Sequence, residues 1–120
     1  MSLADRSCVP CRGGVAPLTS AQYGPLTDEV PQWEVVADHH LQRVYRTKDF
    51  VSALELVNAI GGIAEAEFHH PDIELAWGRV GVKIWTHKID GLTESDFVFA
   101  AKCDRAYAAL PREAKPPPVL

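Results

Sequence analysis

The apolar positions of this chain change period along its middle. Trp33 to Ala37 and Leu41 to Thr47 are short runs rich in aromatic and β-branched residues, parted by Asp38, His39 and His40. They predict a hairpin with that polar trio in its turn. From Asp49 to about Phe68, the residues Phe50, Ala53, Leu54, Val57, Ile60 and Ala64 recur at intervals of three and four. That is the spacing of a helix with one buried stripe, weakened but not ended by Gly61 and Gly62. Pro71 then forces the chain out, because the residue before a proline is pushed into extended backbone. Ile73 to Trp77 follows, and then Arg79 to His87, in which Val80, Val82 and Ile84 alternate with Arg79, Lys83, Trp85 and His87. Period two predicts a strand with one buried face. Past Asp90 and Gly91, Thr93 and Asp96 have the spacing of a helix capping box, and Phe99, Cys103, Ala106 and Leu110 continue as a helical stripe. The order ββαββα predicts an α+β fold: a two-layer structure with a four-stranded antiparallel sheet and both helices on one face.

The flanks read differently. Residues 1–25 hold Pro10, Pro17, Pro25, Gly13, Gly14 and Gly24 without a sustained apolar period, which predicts a flexible N-terminal arm, with a short helix from Leu26. Removing residues 1–20 is then expected to leave the fold largely intact. Pro111 and Pro116 to Pro118 cannot continue a helix, so 111–120 reads as a proline-rich tail and 26–110 as the folded domain.

Composition narrows the function classes. A length of 120 residues holds one compact unit. With 12 basic against 16 acidic residues the net charge is −4, which gives no general attraction for phosphates and disfavours nucleic acid as a direct partner. An apolar share of 47% can build a core, yet Leu56 to Ala64, the longest uncharged apolar stretch, is far short of a bilayer span, so no membrane association is expected. The first residues carry Asp5, Arg6 and Arg12 and no apolar run of a secretory signal, which predicts a cytoplasmic protein with reduced thiols.

Five histidines and three cysteines carry most of the candidate chemistry. Cys8 and Cys11 have the gap of a zinc knuckle or redox pair, but matching downstream ligands and a strand-to-helix context are both lacking, so they read as reduced thiols. Cys103 lies on the apolar stripe and reads as core. His39 and His40 read as turn residues. His69 and His70 stand at a helix exit stiffened by Pro71, and an antiparallel pairing of the two later strands brings His87 to the same end of the sheet. Three converging imidazoles make either a metal site or a proton-transfer site. Glu65, one helical turn before His69, is placed to orient an imidazole.

Taken in order, Ala64-Glu65, His69-His70-Pro71-Asp72-Ile73, Trp77, Thr86-His87-Lys88, Gly91-Leu92-Thr93 and Asp96-Phe97 closely resemble the signature of the pterin-4a-carbinolamine dehydratases, also called dimerisation cofactors of homeodomain proteins. The resemblance runs from about Trp33 through Asp104 and includes Lys48-Asp49-Phe50. Cys8, Cys11, Gly13, Gly14 and Pro17-Leu18-Thr19 are similar to many bacterial members. It implies the same two-layer fold, and dehydration of 4a-hydroxytetrahydrobiopterin to quinonoid dihydropterin without metal or organic cofactor, in support of aromatic amino acid hydroxylases. It further implies a homodimer or homotetramer, His69, His70 and His87 as catalytic residues, and Glu65, Asp96 and Trp33 as substrate contacts. Trp77 stands where tyrosine is commoner, and Phe68 where a small or polar residue is usual.

The chemistry fits the residues by itself. Losing hydroxide from a carbinolamine needs a proton delivered to the 4a-oxygen and one removed from N5, and imidazoles do both near neutral pH. Two other classes remain open at this stage: a noncatalytic dimerisation or partner-binding protein, and a metal-dependent protein built on the three histidines.

Overall fold

A computed structural model describes residues 2–10 and 13–111; Cys11 and nearly all of the proline-rich tail lie outside the described residues. The elements are α1 (Ser20–Thr27), β1 (Glu34–Val36), β2 (His40–Arg46), α2 (Phe50–Glu67), β3 (Asp72–Ala76), β4 (Arg79–Ile84) and α3 (Glu94–Ala108), with 3-10 turns at Leu3–Asp5 and His87–Ile89. The strands form one antiparallel sheet in the order β1-β2-β4-β3. The α+β two-layer architecture is therefore the one expected, and the short helix expected from Leu26 is α1, which starts six residues earlier, at Ser20, and ends at Thr27.

One face of the sheet presents Leu41, Tyr45, Val80, Val82 and Ile84, all buried, to Ala53, Leu56, Ile60 and Ala64 of α2 and to Phe97, Phe99, Ala100 and Cys103 of α3. Asp49 starts α2 by accepting the Ser52 N–H at 2.7 Å, which satisfies one of the orphan donors of the first turn. The β1–β2 turn is centred on Ala37 and Asp38, both with φ above +50°, and is closed by the His39 N–H donating to the Val36 carbonyl at 2.9 Å. A two-residue loop with both central residues left-handed matches the twist of a hairpin. His39 therefore leaves the turn and His40 opens β2, one residue earlier than the start at Leu41 that the sequence pattern suggests.

The N-terminal arm is a correction. Leu3 is fully buried in the core and Ala4 nearly so. The Leu3 N–H donates to Glu29 at 3.1 Å, Lys102 donates to the Ala4 carbonyl at 2.9 Å, and the Val9 N–H donates to the Ser95 hydroxyl at 2.8 Å. Residues 2–10 are thus laid along α3. A single docked leucine leaves no trace in an apolar period, which is why the pattern reads as an arm.

Trp33 is also a core residue, only 5% exposed, just before β1. Its indole N–H donates at 2.9 Å to Asp104 Oδ1, which also accepts from Arg43 at 2.7 Å and from the Tyr45 hydroxyl at 2.6 Å. Arg43 in turn lies over the rings of Tyr45 and Tyr107. With its polar atom used and its surface covered, Trp33 has no face for a ligand, and the substrate contact expected of it is withdrawn.

Candidate active site

The site starts where α2 ends. Phe68 adopts the left-handed conformation, φ 51° and ψ 46°, and the His69 N–H donates back to the Ala64 carbonyl at 3.1 Å. This is the usual way to close a helix, though glycine or asparagine normally occupies the left-handed position. The reversal at Phe68, followed by Pro71, is the backbone turn that lets adjacent histidines take separate carboxylates.

His69 turns inward. Its Nε2 lies 2.6 Å from Asp96 Oδ1, with the imidazole 17% exposed and the carboxylate fully buried. Asp96 belongs to the first turn of α3 and forms a capping box with Thr93, whose N–H donates to Oδ2 at 2.8 Å. The Thr86 hydroxyl donates to the same Oδ2 at 2.9 Å and accepts from the Thr93 hydroxyl at 2.9 Å. Capping and imidazole orientation are therefore both performed by Asp96, one oxygen for each. Because a carboxylate only accepts, Nε2 carries the proton and Nδ1 is the nitrogen left to exchange one. The Phe99 ring stands edge-on to the His69 imidazole, with centroids 6.0 Å apart.

His70 turns outward. Its Nε2 lies 2.6 Å from Glu65 Oε2 on the last turns of α2, with the imidazole half exposed. The Phe68 ring meets it nearly at right angles, with centroids 5.7 Å apart.

His87 is placed differently from the expectation of a strand residue. β4 ends at Ile84, Thr86 bridges to Gly91, and His87 opens the short 3-10 turn between them. Gly91 is needed there, since an added Cβ would lie 2.6 Å from Pro17. The His87 imidazole packs on Trp85 at 4.4 Å, and Trp85 also packs on His39 at 5.2 Å. Continuing the β3–β4 register, in which Asp72 faces Lys83, brings His69 level with Thr86. His69 and the His87 turn are thus joined through Asp96 and Thr86, rather than by direct contact of the rings. Among the described residues no three His, Cys, Asp or Glu side chains are grouped to hold a metal ion.

Thr86, which is 4% exposed and shares Asp96 with His69, is a site residue that no apolar or titratable pattern marks, although it stands inside the Thr86-His87-Lys88 motif. His39 and His40, turn residues by the sequence pattern, also pack beside this site. His39 Nδ1 lies 3.0 Å from His40 Nδ1, and His39 Nε2 lies 2.7 Å from Asp90 Oδ1, at the end of the His87 turn. Burial, then Lys83 and His39, hold the His40 pKa below its ordinary value. Cys8 and Cys103 are free thiols, and burial with Glu67 nearby pushes Cys8 up to about 12, away from reactive thiolate.

A family model described as pterin 4 alpha carbinolamine dehydratase matches residues 16–106. The chain is similar to a Rubrobacter xylanophilus protein assigned as a pterin-4-alpha-carbinolamine dehydratase, 55% identical over 103 residues that cover 86% of this chain and 96% of that one. A protein of Alkaliphilus metalliredigens with the same assignment is 49% identical over 105 residues, covering 87% and 95% of the two chains. The crystal structure of a transcriptional coactivator/pterin dehydratase from Brucella melitensis aligns with a TM-score of 0.71 at 28% identity, covering 75% of this chain and 97% of that chain. The chain belongs to the pterin-4a-carbinolamine dehydratase family. Among the described residues no helix is long and apolar enough to cross a membrane.

Proposed function

We propose that this protein dehydrates 4a-hydroxytetrahydrobiopterin to quinonoid dihydropterin and water, in support of aromatic amino acid hydroxylation, by acid/base catalysis at His69, His70 and His87. The observation that carries this reading is the pairing of His69 with Asp96 and of His70 with Glu65, two adjacent imidazoles each held at 2.6 Å by its own carboxylate. The reaction needs one group to protonate the departing 4a-hydroxyl and another to take the N5 proton, and two oriented imidazoles supply both roles. Positive charge that develops on the pterin as the C–O bond breaks is favoured by Glu65, whose carboxylate is mostly exposed beside His70. His87 acts from the turn that shares Asp96 through Thr86.

The same reading takes the protein as a cytoplasmic homodimer or homotetramer. Among the described residues Cys8 and Cys103 are free thiols, and these with the open edges of β1 and β3 support it. The test is the rate of carbinolamine dehydration, followed by absorbance, for the parent and for His70→Ala and His87→Ala, with and without EDTA. Loss of ~10²- to 10⁴-fold in the folded variants, and no change with EDTA, is the expected result. Parent rates in both variants overturn it.

A further inference from the structure

Phe68 carries two features that the fold does not explain. It is a bulky residue held in the left-handed region, at a helix end where asparagine or glycine sits without strain. Its side chain is 83% exposed, more than any other large apolar residue described. Neither feature stabilises the free protein. The ring does make one organised contact, its near-perpendicular packing on His70 at 5.7 Å. Most of its sequence neighbours are polar, Glu65, Glu67, His69, His70 and Asp72 among them, rather than a run of apolar residues of the kind that docks proteins.

We propose that Phe68 is a specificity-determining residue that touches substrate, its ring forming an aromatic wall beside His70 against which the flat pyrimidine half of a reduced pterin packs. The inference rests on the dehydratase reading, because His70 is there one of the groups that exchange a proton with the bound ring. An exposed aromatic face next to that imidazole gives a planar heterocycle a surface to cover, and covering it removes the ring from water. The strained backbone is then the local consequence of keeping a large ring at the point where α2 turns into the histidine pair, as is common where conformation serves binding.

The test uses the full chain with Phe68→Asn, which removes the ring and suits the left-handed backbone, and Phe68→Tyr, which keeps the ring. Binding is measured at equilibrium with 7,8-dihydrobiopterin, a pterin lacking the 4a-hydroxyl, and dehydration is measured alongside. In Phe68→Asn the Kd and the KM are expected to rise roughly 3- to 10-fold, the weight of one aromatic contact, with kcat within about twofold and the melting temperature raised. Phe68→Tyr is expected to bind as the parent does. An unchanged Kd in Phe68→Asn overturns the inference, as does an altered oligomeric state by sedimentation at unchanged Kd, which would make Phe68 a protein contact. Failure of the parent to dehydrate the carbinolamine overturns the dehydratase reading itself and is seen separately, in the parent alone.

Discussion

His69 spans the gap between the end of α2 and the first turn of α3 to place its Nε2 2.6 Å from Asp96 Oδ1, on a carboxylate with no exposed surface. The pair joins the two helices, orients one imidazole of the histidine couple, and gives the buried Asp96 Oδ1 a hydrogen-bond donor. Removing His69 therefore has a structural effect that removing His70 does not.

His69→Ala is expected to lower both the dehydration rate and the stability, the latter by about 1–3 kcal/mol for a buried acceptor left without its donor. His70→Ala is expected to lower the rate alone, because His70 and Glu65 are half or more exposed. Urea titration beside the rate measurement checks the difference. Equal stability losses in the two variants would contradict it.

The docked N-terminus makes a second expectation. Leu3 has 0% exposure in the core, so Leu3→Ala should cost about 2–4 kcal/mol and deletion of residues 2–10 at least as much. Thermal unfolding decides the matter, since a mobile arm would leave the midpoint unmoved in both.

At the β1–β2 turn, Ala37 and Asp38 both stand at positive φ. Ala37→Asn, and to a similar degree Ala37→Gly, should stabilise by about 0.5–1 kcal/mol, because asparagine and glycine tolerate the left-handed geometry that alanine resists. A lowered unfolding midpoint would count against this account of the turn.

His40 sets a pH dependence. Burial, Lys83 and His39 lower its folded pKa from 6.5, while Gln42 and Glu34 act the other way. The unfolded chain therefore binds the proton more readily. The stability this gives is fully present above pH 6.5 and is lost as the pH falls through the lower folded value. His40→Gln should flatten that slope in unfolding measured from pH 7.5 to 5, and an unaltered slope would assign it to another group.

Much of the fold was legible in the chain. Intervals of three and four mark α2, although of the stripe only Ala53, Ile60 and Ala64 are buried, while Phe50 and Leu54 are exposed and Leu56 is buried in their place. The strict alternation of Val80, Val82 and Ile84 marks β4, because burial on one face imposes the period of the element on the sequence. The ordered motif around His69, His70 and His87 pointed to the family that the comparisons show. Only the tertiary structure decided the rest. Periodicity tells which side of an element is covered, and it does not tell what covers it. Leu3 reached the core as a single residue without a period. Trp33 looked like a site aromatic until its indole met Asp104, across 71 residues of chain. The assignment of Asp96 to His69, and of Glu65 to His70, depended on the left-handed turn at Phe68, a backbone reversal that no pattern of apolar and polar positions records.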